Sequence, residues 1–416
     1  MSQQASDPGE SLRFDSSHPR LGVDPYQIYA RLQKKSSNRR TPGTLILTRY
    51  SSVCEAFTNR DLSSEAIPQS LRGLGEKWGL ALPDRFAGLL KAALIFSDEQ
   101  GHGRLRRLLG RAVAPPAIRE MRPQIVNRIA QRLDAASHLE TIDVIQDISE
   151  PLWSEVFGDW LGLPDGDRDH LARNGRRARF MLDLGGMTRD DFMGVFDAVD
   201  QLYEFFLHAY RQQDRTAEAS LLSRLSEAHN GEAGLDEDQI VFTCIELLVG
   251  GNETTQALIG NLLNALLAHP DQLELVRKDR SLLAAAIEET VRFESPLPMV
   301  RRVALRDTVI TGEPVRRGET VLLCVAAANR DPIQFDEPDR FDIHRKGQRH
   351  VGFGYGFHAC VGSMFARLQA EVALDLMLKR FSHLERAEPA PAWQKRRLTG
   401  RALERLPVRV CRAHVE

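Results

Sequence analysis

The stretch Phe353-Gly354-Tyr355-Gly356-Phe357-His358-Ala359-Cys360-Val361-Gly362 places one cysteine in a glycine-rich loop. Apolar residues then recur at helical intervals, which predicts a helix that begins beside Cys360. The N–H groups and the positive dipole end at a helix start favour a thiolate. The glycines let the backbone bend close to the sulfur and to a flat ligand. A single thiolate without neighbouring metal ligands is typical of an axial bond to haem iron.

The glycines of this loop also have simpler explanations when each is taken alone. A glycine loop before a helix is usually a turn, and sometimes it cradles a phosphate. A phosphate loop is expected to carry a lysine or to face a carboxylate, whereas this loop is apolar and aromatic. The complete string therefore favours the haem interpretation.

Length and composition predict one large domain. The chain has 416 residues and a formal net charge of -2, and no Gly/Ser-rich or proline-rich linker interrupts its middle. We expect residues 1–20 to form a flexible arm and residues 21–416 to form a single, monomeric domain. The near-zero net charge argues against a nucleic-acid partner.

The cysteines and the hydropathy pattern favour a cytoplasmic location. The five cysteines are scattered without paired spacing, which is typical of a reducing compartment and of neither a disulfide framework nor a zinc site. Residues 1–15 contain no apolar run of signal-peptide length. The most apolar region, residues 240–267, is interrupted by Glu246 and Glu253, so we expect no membrane span.

The coarse pattern predicts a mainly α fold with a minor β-sheet. The longest predicted helix runs from Asp236 to Ala268, where His269-Pro270 ends it, and strands are predicted at residues 44–50, 307–310 and 320–325. Further helices are predicted near residues 24–34, 52–59, 103–112, 120–135, 145–160, 167–180, 190–213, 217–228 and 281–293.

The long predicted helix contains Gly250-Gly251-Asn252-Glu253-Thr254-Thr255. Two glycines inside a helix cost roughly 1 kcal/mol each relative to alanine, so they call for an explanation. One interpretation is close packing against another helix at a small-residue notch. The other is a distorted turn that leaves a groove for O2, with Glu253 and Thr254 as the acid and the alcohol that deliver protons. The residues alone leave both open.

The cysteine loop matches Phe-x-x-Gly-x-His-x-Cys-x-Gly and thereby resembles the haem-binding loop of the cytochrome P450 family, in its soluble bacterial form. The resemblance extends from about Asp24 to Val408. It implies haem b between the long oxygen-binding helix and the cysteine-loop helix, with Cys360 as the axial iron ligand. It assigns cofactor contacts to Phe353, Gly362, Gly250 and Gly251, and catalytic roles to Glu253 and Thr254.

Glu289 and Arg292 share a helix face at i and i+3, a spacing that permits an ion pair. Alone, such a pair is most often a solvated surface contact. The resemblance implies that it is the family's Glu-x-x-Arg motif, which pairs with an arginine before the cysteine loop. Arg340 is the first candidate for that arginine and Arg345 the second, and we expect the three residues to be structural.

His102 and Arg106 lie one helical turn apart and could hold an anionic group together. A solvated basic face is the alternative. The resemblance implies that they bind the haem propionates, with Arg302 and His358 as further partners and Arg301 as a neighbour that the sequence does not exclude. The segment that leads into this helix, residues 97–106, lacks the proline that relatives often have there.

The resemblance also predicts an apolar substrate pocket. Its walls would come from residues 67–94, 180–187, 246–250, 297–300 and 398–400, with Gly185-Gly186 as a mobile lid. Four arginines precede the lid: Arg173, Arg176, Arg177 and Arg179. We interpret them as surface charge or, alternatively, as a site for a carboxylate or an acidic carrier protein. The individual pocket residues that we predict are Met181, Leu247, Leu297, Met299, Val300 and Thr399.

Electrons would come from a separate protein, because the chain carries no flavin or iron–sulfur motif. A basic face near Arg104, Arg107 and Arg111, together with Arg349 and Arg367, could dock an acidic ferredoxin or flavodoxin. The alternative is that these residues form an ordinary solvated face.

The predicted function is that of a haem-thiolate monooxygenase that hydroxylates or epoxidises a hydrophobic small molecule, in secondary metabolism. Phenol coupling, ring closure and desaturation are alternatives, since pocket geometry decides the product. A haem-binding sensor or carrier is a further alternative, although a carrier has no need of the Glu253-Thr254 pair.

Overall fold

The computed structural model describes residues 24–35, 38–136, 138–184, 187–212, 220–229, 235–347, 349–394 and 399–413. The predicted arm, residues 1–20, and the predicted lid glycines, Gly185 and Gly186, lie outside the described residues. The helices of four residues or more are Tyr26–Lys35, Tyr50–Thr58, Ala66–Trp78, Asp84–Ala92, Glu99–Ala112, Pro115–Glu120, Arg122–Ala136, Val144–Ser149 (a π turn), Glu150–Leu161, Arg168–Ala178, Arg179–Leu182 (a 3-10 turn), Arg189–Gln212, Leu221–His229, Glu237–Ala268, Pro270–Lys278, Leu283–Phe293, Val325–Ala328 and Ser363–Arg380.

The strands form small sheets at the edge of the helical body. The largest has five strands in the order Asn38–Thr41, Thr44–Leu47, Thr320–Leu323, Val300–Ala304 and Leu62–Ser63, of which Thr44–Leu47 and Thr320–Leu323 run parallel. The remaining strands are Thr141–Asp143, Thr308–Ile310, Glu313–Val315, Phe381–Arg386, Ala392–Trp393, Leu403–Arg405 and Pro407–Arg412. The predicted mainly α fold with a minor β component is confirmed.

Glu237–Ala268, hereafter the long helix, crosses the centre of the molecule. Asp236 caps it and Gln239 completes a capping box, because each side chain accepts a hydrogen bond from the other residue's backbone N–H. His269-Pro270 ends it, as predicted. Nearly all of its residues from Ile240 to Leu266 are buried or half-buried, so the helix is core on most of its circumference. No helix among the described residues is both long and apolar enough to cross a bilayer.

A buried ion-pair network fixes the segment before the cysteine loop. Arg292 is 2 % exposed and pairs bidentately with Glu289 through two bonds of 2.7 Å. Arg345 reaches the same carboxylate at 3.3 Å and donates to the Asp336 carbonyl at 2.6 Å. The cost of burying two arginines around one glutamate is offset here because backbone carbonyls accept hydrogen bonds from the guanidinium groups.

The prediction that Arg340 completes this network was wrong. Its side chain is exposed and pairs with Glu337 at 3.1 Å. Only its backbone takes part, since the Arg340 carbonyl accepts a bond from Arg292 at 3.0 Å. Arg345, the second candidate from the sequence, is the residue whose guanidinium reaches Glu289.

Arg345→Met is expected to lower the free energy of unfolding by about 2 kcal/mol or more, because it removes one partner of a buried carboxylate and leaves backbone carbonyls without donors. Arg340→Met is the matched control and should change it by less than about 0.5 kcal/mol, as for other exposed pairs. Urea denaturation followed by circular dichroism would measure both. Equal effects of the two variants would contradict the assignment of Arg345.

Candidate active site

The cysteine loop folds back on itself before the helix Ser363–Arg380, hereafter the cysteine helix. The Cys360 N–H donates to the Phe353 carbonyl at 2.7 Å, which closes the loop. Gly354 and Gly356 have φ of 74° and 67°, in the left-handed region that favours glycine. A Cβ on Gly356 would lie 2.9 Å from the Thr58 side chain. The loop conformation thus depends on glycine at these positions, and the predicted helix start beside Cys360 is confirmed.

The Cys360 thiol lines a cavity and is accessible there. Even so, the protein around it desolvates the thiol, and this raises its pKa above the ordinary value. Backbone N–H groups of Gly362 and Ser363 and the charges of Arg367 and Arg106 oppose this by lowering the pKa. The helix start therefore reduces the desolvation penalty without overcoming it, and a cation against the sulfur would be needed to favour the thiolate.

A largely apolar cavity of about 340 Å³ lies between the cysteine loop and the long helix. It brings together most of the residues that the sequence singled out, although they come from distant parts of the chain. The predicted residues that line it are His102, Arg106, Met181, Leu247, Gly250, Gly251, Thr254, Leu297, Val300, Arg302, Phe353, His358, Cys360 and Gly362.

Two predicted pocket residues are not among the described residues that line this cavity. Met299 is 1 % exposed and packs in a separate cluster with Tyr29 and Leu32. Val300 follows it at the start of a strand, and successive strand side chains point to opposite faces, so only Val300 reaches the cavity. Thr399 lies behind the wall, where its N–H donates to Asp183 at 3.2 Å.

Part of the predicted pocket wall has more structure than the sequence indicated. Residues 67–94, for which no helix was predicted, contain the helix Asp84–Ala92 and all but the first residue of the helix Ala66–Trp78. The cavity is reached by Leu89 and by the short 3-10 turn Leu94–Phe96 that follows.

A cluster of cationic and hydrogen-bonding side chains occupies one part of the cavity wall. The rings of His102 and His358 lie 4.3 Å apart, and Ser64 contacts His358 Nε2 at 3.2 Å. Burial, followed by the charge of Arg302, lowers the pKa of His358 to about 3. Burial also lowers the pKa of Arg302 to about 10. Such desolvated donors favour an anionic ligand, and the carboxylates of haem fit this donor set.

The structure separates the two arginines that the sequence left open. Arg302 lines the cavity beside the histidines, and its side chain donates to the Arg301 carbonyl at 3.0 Å. Arg301 instead reaches Ser70 at 3.3 Å. Arg302 is therefore the residue placed to meet the anionic part of a bound cofactor.

The two glycines of the long helix have different roles. A Cβ on Gly251 would lie 2.2 Å from the Trp153 ring, and the Trp153 indole N–H donates to the Leu248 carbonyl at 2.9 Å. Gly250 has no such neighbour within 4 Å, lines the cavity, and its carbonyl accepts a bond from Thr254 Oγ1 at 3.0 Å. The packing interpretation therefore holds for Gly251, whereas Gly250 leaves the long helix open toward the cavity.

Glu253 is not among the described residues that line the apolar cavity. Its carboxylate pairs with Arg179 at 2.7 Å. Arg179 lines a second, open chamber of about 540 Å³ on the other side of the long helix, with Asn252 and Gln256. The acid and the alcohol of the predicted proton relay thus belong to different environments, one polar and one apolar.

Two residues of the cavity wall were missed or left without a role by sequence reasoning. Trp153 comes from the helix Glu150–Leu161 and had no local signal, because only the fold brings it to Gly251. Glu246 lay inside a predicted pocket range with no function assigned to it. Its two carboxylate oxygens accept bonds from the N–H groups of Leu94 and Ile95 at 2.8 and 2.7 Å.

The predicted basic face is partly engaged within the chain. Arg367 pairs with Glu288, with bonds of 2.5 and 3.0 Å, and its guanidinium lies 4.2 Å from the Phe353 ring centre. Arg349 lies over Tyr355. Arg107 is exposed and Arg104 half-buried, while the side chain of Arg111 lies outside the described residues.

Comparisons with known proteins agree on one family. A family model for cytochrome P450 matches residues 178–411. The chain is 36% identical to a biotin biosynthesis cytochrome P450 of Bacillus subtilis (strain 168) over 320 residues, 76% of this chain and 79% of that protein. It is 35% identical to the cyclomarin C epoxidase CymV of Salinispora arenicola (strain CNS-205) over 312 residues, 74% of this chain and 79% of that protein.

A solved structure shows the same architecture. The crystal structure of P450BioI, in complex with an acyl carrier protein ligated to hexadec-9Z-enoic acid, superposes with a TM-score of 0.85 at 30% identity. The match covers 95% of this chain and 100% of that one.

Gly251→Ala is expected to lower the free energy of unfolding by about 1–2 kcal/mol, because overpacking against Trp153 outweighs the gain in helix propensity. Gly250→Ala is the matched control and should leave the free energy unchanged or raise it by up to about 1 kcal/mol. Thermal or urea denaturation would rank the two variants. A Gly251→Ala protein as stable as Gly250→Ala would show that Trp153 can move away.

Proposed function

The chain belongs to the cytochrome P450 family, whose members are haem-thiolate monooxygenases, and we propose from this premise that it inserts one oxygen atom of O2 into a hydrophobic small molecule by hydroxylation or epoxidation. The observation that carries the proposal is the shared cavity. Cys360 from the cysteine loop and Thr254 from the long helix line the same largely apolar space. A carrier would not require a hydroxyl at that place.

The residues present fit haem at this site. Cys360 would hold the iron, and His102, Arg106, Arg302 and His358 would hold the haem carboxylates, since all of them line the cavity. When bound, haem supplies the reductive activation of O2. The apolar wall excludes water and orients a hydrophobic substrate.

Thr254 and Glu253 would deliver the protons that the reaction consumes. The Thr254 hydroxyl faces the cavity and can turn from the Gly250 carbonyl toward a bound ligand. Glu253 is paired with Arg179, which lines the open polar chamber, and that chamber would supply a route from solvent. A proton would pass from this chamber through Glu253 to the hydroxyl, so the long helix separates the proton source from the substrate.

We propose a biosynthetic substrate, in secondary metabolism. The support is the apolar lining together with two relatives, one named for biotin biosynthesis and the other as a cyclomarin C epoxidase. One solved relative was crystallised with an acyl carrier protein. In this chain, two of the arginines that could meet such a carrier are engaged, since Arg176 pairs with Glu150 and Arg177 with Asp197. A free small molecule is therefore the substrate that we favour.

Electrons would reach the site from a separate acidic protein of the ferredoxin or flavodoxin type. Arg107 is exposed on the helix Glu99–Ala112, whose His102 and Arg106 line the cavity. Arg367 lies on the cysteine helix, with its guanidinium on the ring of Phe353 in the cysteine loop. Positive charge on this side would guide an acidic donor toward the cysteine loop.

Thr254→Ala is expected to lower the product formed per NADPH by about tenfold or more and to release peroxide instead, because the variant lacks the hydroxyl that delivers protons. The assay uses the haem-loaded enzyme with surrogate ferredoxin and reductase, and product is scored by mass as a gain of one oxygen atom. Thr254→Ser keeps the hydroxyl and should retain coupling.

Two outcomes would contradict the proposed function. A reduced, CO-bound protein with the absorption of histidine-ligated haem would remove Cys360 as the ligand. Tight ligand binding with no turnover of any compound in a substrate panel would favour a carrier. Unchanged coupling in Thr254→Ala would remove only the threonine from the relay.

Arg107→Glu is expected to raise the KM for ferredoxin by about tenfold at low ionic strength, with a smaller effect at high salt, because exposed charge pairs are screened. Arg173→Glu is the matched control, since Arg173 is an exposed arginine on a different helix, Arg168–Ala178. Dithionite reduction should be the same in both variants. Equal KM values for the two variants would place the docking surface elsewhere.

A further inference from the structure

Glu246 is an acidic side chain in a cavity that is otherwise apolar and cationic. Among the described residues that line the cavity it is the single carboxylate, and the other ionisable groups there are His102, Arg106, Arg302, His358 and Cys360. It lies two helical turns before Thr254, with Gly250 between them, so the three residues share one face of the long helix. The separation along the helix axis is about 12 Å.

The immediate partners of Glu246 are two backbone N–H groups. Oε2 accepts from Leu94 at 2.8 Å and Oε1 accepts from Ile95 at 2.7 Å, at the start of the turn Leu94–Phe96. A carboxylate has about four acceptor positions, so each oxygen retains capacity for another donor. The carboxylate therefore holds this wall segment and remains able to bind a ligand.

The two bonds do not compensate for burial. Desolvation raises the pKa of Glu246 to about 7, although the N–H groups of Leu94 and Ile95 lower it. The nearby wall supplies little else to stabilise the charge, since Leu89, Ala93, Leu247 and Leu297 line the same cavity. A buried carboxylate in such surroundings gains most from a cation.

We propose that Glu246 is a specificity-determining residue, and that it selects substrates with a cationic nitrogen about two helical turns away from the carbon that is oxidised. The inference rests on the proposed function, because it takes this cavity to be the substrate pocket. The apolar body of the substrate would fill the space between Glu246 and Thr254. A substrate with a carboxylate at the same end would be repelled.

The alternative is that Glu246 only holds the wall segment. In that case its removal would weaken every ligand alike, since the positions of Leu94 and Ile95 would change for all of them. A role in charge recognition predicts a different pattern, in which the cationic ligand alone loses affinity. The two roles can therefore be separated by comparing ligands of one shape and different charge.

The test measures binding to the haem-loaded enzyme by isothermal titration calorimetry with three probes. These are phenylbutyl-trimethylammonium, its neutral tert-butyl isostere and the phenylalkanoate of equal chain length. The quaternary nitrogen has no lone pair, so it cannot ligate iron. We expect the cation to bind about tenfold more tightly than the neutral isostere, and the carboxylate to bind most weakly.

In Glu246→Gln the ratio of cation to neutral affinity should fall close to one, while the neutral probe stays within about threefold of the parent enzyme. Glu274→Gln removes the same charge from an exposed position on the helix Pro270–Lys278 and should preserve the ratio. No preference for the cation in the parent enzyme would overturn the inference. Equal weakening of all probes in Glu246→Gln would also overturn it and leave only the wall-holding role.

Failure of the inference and failure of the proposed function give different results. Calorimetry requires no turnover, so a protein that oxidises nothing but loses its charge preference in Glu246→Gln would retain the anionic subsite. A protein that oxidises neutral substrates with coupled electron use, and shows no charge preference, would retain the monooxygenase function and lose the subsite.

Discussion

The position of the cysteine loop depends on the ion pair and the hydrogen bonds that the buried guanidinium of Arg292 makes. It pairs with Glu289 and donates to the carbonyls of Asn329 and Pro338 at 2.9 and 2.8 Å. Asn329 in turn accepts from the Val351 N–H at 2.8 Å, immediately before the loop. Removing an ion pair from water is costly, and the cost is offset here because nearly every donor has an acceptor. The network thus holds the chain segment before the cysteine loop in place, and this fixes the position of Cys360.

The cavity has an uneven distribution of charge along its wall. Arg302 and His358 supply donors in one region, apolar side chains fill the middle, and Glu246 lies on the long helix two turns from Thr254. In a medium of low dielectric constant such groups act more strongly than at the surface. The cationic region suits the carboxylates of a cofactor and the acidic one suits a cation, so a ligand is oriented by its charge as well as by its shape.

Much of this arrangement could be predicted from the sequence, because it depends on the spacing of residues that are close together in the chain. The cysteine loop, the long helix and the pair Glu289–Arg292 each lie within a few turns of chain, and the structure contains them as predicted. The choice between Arg340 and Arg345 could not be predicted, since both lie in the same irregular segment before the cysteine loop and only its folded path directs one side chain inward.

The remaining differences have the same physical origin. Met299 and Val300 are adjacent and similarly apolar, yet strand alternation sends them to different sides. The packing of Trp153 on Gly251 joins two helices that are far apart in the chain. Sequence patterns report which face of an element is buried, but they do not report what it is buried against.

The long helix separates the apolar cavity from the open polar chamber. This explains why its central residues differ in polarity. Glu246, Gly250 and Thr254 face the apolar cavity, while Asn252 and Gln256 face the open polar chamber. Helical geometry favours such a division, since residues three or four apart share a face. Glu253 lies beside Thr254 in the chain and pairs with an arginine of the chamber. In the proposed proton relay, the boundary between the polar chamber and the apolar cavity is one helix thick. Gly250 leaves the cavity side of that boundary open, while the packing of Trp153 on Gly251 fixes the helix.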